Sequence, residues 1–265
     1  MPLQLLKLMN SMFFAPLDVY EPAGMFTTQH IMSLIICLIL VSLALIATKN
    51  MKWQTVLLIT KVMAIVMTCL EAIKIGYNFY YGYTCLDAWL PLSFCSLFIY
   101  ALWLSGYGKG FLKNIGDAYI VIGCFLGGLG FLLFPTTLLM RYPIWHYLCL
   151  YSLFFHVAMI YLGVMYIKHH RTPINRKTFM YFSLYFMIFA IISMALNVIY
   201  GSNIMILREP FNVPFKFIHV IKAKSQIAYT LLATTAYLVG PGLFALIISR
   251  ILIKKNEKTL KSDST

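Results

Sequence analysis

Charge is scarce in this sequence. Asp and Glu number eight in 265 residues, and all charged types together make 11%, where a soluble domain carries about a quarter. With 61% hydrophobic residues, the chain reads as a polytopic membrane protein. Cysteines in metal or redox spacing are also lacking. The six, at 37, 69, 85, 95, 124 and 149, form no C-x-x-C and mostly lie in apolar runs, which argues against a disulfide framework and a zinc site. Neither a metal nor a cofactor is called for. Residues 1–27 hold Pro16, Asp18, Glu21 and Pro22 and do not read as a cleavable leader. No repeat, low-complexity tract or internal domain boundary stands out. The net charge of +13 does not point to nucleic acid, because the basic residues gather in short loops and at the C-terminus, as anchors on an anionic membrane face do.

What is present is a series of apolar runs. Crossing about 30 Å of hydrocarbon takes about 20 helical residues. Seven stretches qualify: 29–48, 54–76, 90–106, 115–134, 145–167, 178–199 and 227–252. The third is short, and the second is interrupted by Lys61, Glu71 and Lys74. The expected fold is an all-α bundle of seven transmembrane helices over 29–252, with an extracytoplasmic segment 1–28 and a basic cytoplasmic tail 253–265. Thirteen of the 21 basic residues fall in one set of loops and the tail, and six on the other side. That bias puts the N-terminus outside and the C-terminus in the cytoplasm. The long outer loop 203–226 alternates Phe, Ile and Val with Lys, as a segment lying on the interface does. Trp89, Tyr142, Trp145 and Tyr147 read as an outer aromatic belt.

Ionisable and polar groups inside spans usually face the bundle interior. With the expected orientation, Glu71, Cys95, His156 and Asn197 all fall between the midplane and the outer surface, His156 somewhat deeper than Cys95. Four groups from four helices at compatible depths can form one site. Each also has a plainer reading. Cysteine packs as a small hydrophobe, and Pro91 marks a helix start. His156 can hold a structural hydrogen bond to a neighbouring helix. Glu71 and Lys74, three apart on one face, neutralise each other. Asn197 can cap a helix end or bridge helices.

Three segments together resemble a known family: 90-LPLSFCSL-97, the histidine of 152-SLFFHVAMI-160, and 196-LNVIYGSNIMILREP-210. In order and spacing they are similar to the YwaF-like, or TP0381-type, bacterial integral membrane proteins, a family similar to the animal transmembrane protein 164. The resemblance covers about 25–250, and L-N-x-x-x-G-x-N-x-x-x-L-x-x-P is its most specific part. Position 93 is Ser where bacterial members commonly read His, and Ile204 stands where Tyr often follows the second Asn. The short loops suggest a bacterial plasma membrane, and the resemblance to the animal relative implies an acyltransferase that moves a fatty acyl chain between phospholipids through a cysteine and a histidine, here Cys95 and His156. Asn197 and Asn203 match the asparagines of the third motif.

In that reading a membrane phospholipid is the substrate. His156 takes the thiol proton, Cys95 attacks an ester carbonyl, and a thioester passes its acyl chain to an alcohol or water. Asn197, Asn203 or Glu71 orients the imidazole, or an asparagine donates to the oxyanion. Glu71, Lys74 and Asn203 are placed on the substrate-binding side. A second reading is a transporter or lipid-binding protein, with Glu71, Lys74 and His156 lining a polar path; Cys95 discriminates the two, since a transporter does not need it. A third is a scaffold or sensor using the basic tail 250–261.

Overall fold

The structure, a computed structural model, describes residues 11–170 and 172–262, with side chains to residue 251. Lys7, Arg171 and the side chains of the expected tail 253–265 lie outside the described residues. Every regular element among the described residues is helical. The elements are α1 (Thr28–Ala47), α2 (Trp53–Tyr80), a single turn Leu86–Trp89, and α3 (Leu97–Tyr107). Next, α4 (Gly110–Tyr119) runs through a π-turn (Ile120–Cys124) into α5 (Phe125–Leu133). Then come α6 (Tyr147–Lys168), α7 (Arg176–Tyr200), α8 (Lys216–Lys224) and α9 (Gln226–Ser262).

Local signals set the boundaries. Thr27 and Asn175 accept hydrogen bonds from His30 N–H and Thr178 N–H, capping α1 and α7, as short polar side chains do at helix starts. Gly201, at φ 68°, ends α7 in the left-handed conformation that only glycine adopts without strain. Six helical stretches are long and apolar enough to cross a membrane: α1, α2, α4 through α5, α6, α7 and α9. Their outward faces are apolar, with Leu43, Ile191 and Leu246 more than half exposed. The bundle is therefore wrapped in hydrocarbon-compatible side chains around a packed interior.

The third expected span, 90–106, differs. It is an 11-residue helix, about 16 Å long, preceded by a non-helical stretch from Leu90 to Ser96. Pro91 has no N–H to donate. Ser93 Oγ takes the Ser96 N–H, as a cap does. Apolar side chains cannot report this break, because it lies in the backbone.

The centre of the bundle is α6, most of whose residues are buried. It packs against α1, α2, α5 and the π-turn. Close approach of α5 rests on Gly128, where an added Cβ would lie 2.8 Å from His156 O and 2.7 Å from Ile160 Cγ1. We call the upper end the one where α2, α5 and α7 finish and α6 and α9 begin. A strap from Phe14 to Gly24 lies across it. Tyr77 O–H and His146 Nε2 both meet Ala15 O, Tyr81 O–H donates to Phe14 O, and Ala23 and Gly24 N–H donate to Tyr142 O and Leu139 O. The segment before α1 is thus built into the bundle.

Two of the four expected belt aromatics also belong to the interior. Tyr142 stacks on His146, and Tyr147 O–H donates to Leu70 O at 2.6 Å; both rings are buried. The expected interfacial segment 203–226 contains α8, which has no buried residue and exposes Phe217 and Val220.

Gly128→Ala forces a Cβ into the α5–α6 crossing, an overpacking cost of about 1–3 kcal/mol. Gly130→Ala meets nothing within 4 Å. Thermal unfolding in detergent should show a lower midpoint for the first variant and no loss for the second.

Candidate functional site

The break before α3 opens onto a cavity of about 530 Å³, within the range of ligand sites. Glu71, Lys74, Cys95, His156 and Asn203 line it. Its lower part is apolar and aromatic, with Phe94, Phe131, Phe155, Tyr237 and Pro241. Near the upper end it carries Asp87, Arg141, Thr136 and Thr137. Gly127 lies six residues before the end of α5, about 9 Å below the upper end at about 1.5 Å per residue. His156 lies nine residues into α6, about 14 Å down. A polar mouth above an apolar floor matches an amphiphile.

Cys95 is half-buried and sits two residues before the start of α3. Its Sγ points toward Gly127 O at 3.9 Å. Helix N-termini favour negative charge, and a thiolate is the nucleophilic form of cysteine.

His156 is buried, with 5% of its surface exposed. Its Nδ1 lies 2.6 Å from Ser152 O, one turn back on the same helix. A carbonyl only accepts, so Nδ1 carries the proton and Nε2 is left with its lone pair. Among the described residues Nε2 has no hydrogen-bond partner. Phe131 stacks on the ring, with centroids 3.8 Å apart and planes at 9°. The imidazole is therefore held from two directions, with its basic nitrogen bare. Among the described residues Cys95 Sγ and His156 do not hydrogen-bond to each other; what joins them is the cavity that both line, together with Gly127.

The orienting roles expected of Asn197, Asn203 and Glu71 are not the ones the geometry gives them. Asn197 does not line the cavity. Its Nδ2 donates to Ile204 O, and its Oδ1 accepts from Ser202 Oγ and Ile204 N–H. Asn203 does line it, but its amide is engaged with Glu209 O and with the N–H groups of Arg208 and Glu209. The two asparagines brace a strained loop, in which Met205 and Ile206 have φ of 60° and 55°. Such φ values are outliers for a β-branched residue. That loop forms one wall of the cavity. Tyr229 O–H and Thr230 O–H hold it from α9 at Ile206 O and Leu207 O.

Glu71 and Lys74 form the expected pair at 2.7 Å. The other carboxylate oxygen accepts from Tyr151 O–H at 2.6 Å. Imidazole orientation falls to Ser152 O instead. Its place four residues before His156 is a helical neighbour that spacing alone could have supplied. Tyr151 carries no comparable signal in the sequence.

The TMEM164 family model matches residues 25–250, most of the chain, and the chain belongs to that family. Neither a curated protein nor a solved structure matches it.

Asn197→Ala leaves Ile204 N–H without its acceptor and Ile204 C=O with only Leu207 N–H, at about 1–3 kcal/mol for a buried group left unsatisfied. Limited proteolysis should cut the 201–206 loop faster in this variant, and the thermal midpoint should fall.

Proposed function

We propose that this member of the TMEM164 family is a membrane-embedded acyl-transfer protein that acts on a membrane phospholipid through Cys95 and His156. The observation that carries the reading is the bare Nε2 of a buried, pre-oriented imidazole in a cavity that also holds a half-buried thiol. Buried polar atoms are normally partnered. An unpartnered acceptor beside a nucleophile is the arrangement general-base catalysis requires.

His156 Nε2 takes the proton of Cys95 Sγ–H. The thiolate attacks an ester carbonyl, forming the S–C bond and a tetrahedral oxyanion. The C–O bond to the glycerol oxygen then breaks, and His156 returns the proton to that oxygen. An acceptor alcohol or water next gives its proton to Nε2 and attacks the thioester. The C–S bond breaks, and the sulfur regains the proton. The apolar floor suits the acyl chain, and the ester reaches the thiol with its headgroup among the charged residues of the mouth. Lys74 and Glu71 neutralise each other, so they serve the substrate by shape and by Tyr151 rather than as a net charge. Asn197 and Asn203 act by holding the cavity wall.

The competing reading, a path for protons or a polar solute past Glu71, Lys74 and His156, fits less well, since Lys74 and Tyr151 already engage both oxygens of the Glu71 carboxylate.

Purified protein incubated with an alkyne-tagged fatty acyl phospholipid should form a hydroxylamine-sensitive adduct that maps to Cys95. The thioester should be absent in Cys95→Ser. His156→Ala should slow its formation by about 100-fold or more. Full lipid-remodelling activity in Cys95→Ala would end the proposal.

A further inference from the structure

The backbone around Cys95 changes its hydrogen-bond spacing. Leu97 N–H reaches back four residues to Ser93 O at 3.2 Å. Phe98 and Ile99 N–H reach back only three, to Cys95 O at 2.9 Å and Ser96 O at 3.1 Å. The carbonyl of Phe94 is skipped. At membrane depth a skipped carbonyl must find a donor within the protein. Tyr119 supplies it, its phenol O–H donating to Phe94 O. Tyr119 is fully buried and is the last residue of α4 before the π-turn, a helix irregularity frequent at functional sites. Tyr185, from α7, donates to Leu97 O at 2.7 Å, and its ring lies 5.3 Å from that of Tyr119. Two phenols from two helices therefore hold the backbone on either side of Cys95.

A trans peptide is planar, and its C=O and N–H point in opposite directions. Fixing Phe94 C=O on Tyr119 therefore also fixes the Cys95 N–H, directed away from Tyr119. Among the described residues no acceptor takes that N–H. Phe94 and Cys95 line the cavity, as does His156 with its bare Nε2. The cavity is thus lined by one residue with an unpartnered donor and another with an unpartnered acceptor.

We infer that Tyr119 is a positioning residue that aims the Cys95 N–H at the carbonyl oxygen of the acyl ester, which makes this N–H the oxyanion donor; the inference rests on the acyl-transfer reading. As the S–C bond forms, the carbonyl π pair moves onto oxygen and the N–H donates to it. When the C–O bond breaks, the pair returns and the contact weakens. An oxyanion donor fixed in advance requires no reorganisation during the reaction.

Two reactions of the same thiol separate this role from a structural one. Alkylation by iodoacetamide forms an S–C bond and expels iodide, with no oxyanion. Thioester formation from an alkyne-tagged phospholipid passes through one. Both rates at Cys95 are measured on the full chain in nanodiscs. Tyr119→Phe, which keeps the ring and removes the O–H, should slow acylation by about 100-fold or more and leave alkylation unchanged. Tyr185→Phe, which frees Leu97 O rather than the Cys95 peptide, should leave the ratio of the two rates at its wild-type value.

Incorporating p-aminophenylalanine at 119 keeps both ring and donor, so the test holds even where Tyr119→Phe does not fold. Acylation should then return to within about tenfold of wild type. Equal slowing of both reactions in Tyr119→Phe, or unchanged acylation, overturns the role of Tyr119 alone. Wild-type protein that alkylates at Cys95 but never acylates removes the acyl-transfer reading, and this inference with it.

Discussion

Inside the hydrocarbon of a bilayer a backbone N–H or C=O has no water to turn to, so each must find a partner in the protein or face a cavity. From Leu90 to Ser96 the chain leaves the helical solution to that constraint, and much of the surrounding structure answers the departure. Ser93 caps the turn, Tyr119 and Tyr185 reach in from α4 and α7, and α3 begins part-way down the bundle. Non-helical backbone at this depth is tolerated where it lines a cavity or is buried in protein, and here both conditions hold. The half-buried thiol of Cys95 follows directly from that break. In a continuous helix Phe94 O would bond to Phe98 N–H, and Tyr119 would have nothing to hold.

The neighbouring helices answer a packing constraint of a different kind. Gly128 lets α5 come close enough to α6 for Phe131 to lie flat on His156. The ring is then fixed by stacking on one side and by its own helix carbonyl on the other. His156 needs no second charged residue to hold it, which is why no acidic partner had to be carried into the membrane beside it. Glu71, the acidic residue expected to orient it, is balanced by Lys74 and Tyr151.

Most of the all-helical architecture was legible in the sequence. The apolar runs 29–48, 145–167 and 178–199 match α1, α6 and α7 to within about two residues, because side-chain hydropathy reports hydrocarbon contact. It does not report backbone hydrogen bonding, so the run 90–106 looked like a span although its first part, 90–96, is not helical. The isolation of His156 in an apolar run marked it as a residue in need of explanation. Its partner was invisible, because that partner is a main-chain carbonyl. Asn197 and Asn203 were conspicuous for their spacing around Gly201, but spacing could not separate an amide that orients a ring from one that closes a loop. Tyr142 and Tyr147 looked like belt residues because aromatic side chains near a span end are ambiguous between lipid and interior until the neighbouring helices are placed.

The strap before α1 has a consequence for how the chain assembles. Ala15 O receives His146 from 131 residues further along, and Tyr77 from 62. The strap precedes both partners in the chain and therefore has no complete seat until α2 and the start of α6 are in place. Its closure over the upper end requires the chain through His146. A segment made before both of its partners is thus seated only after them.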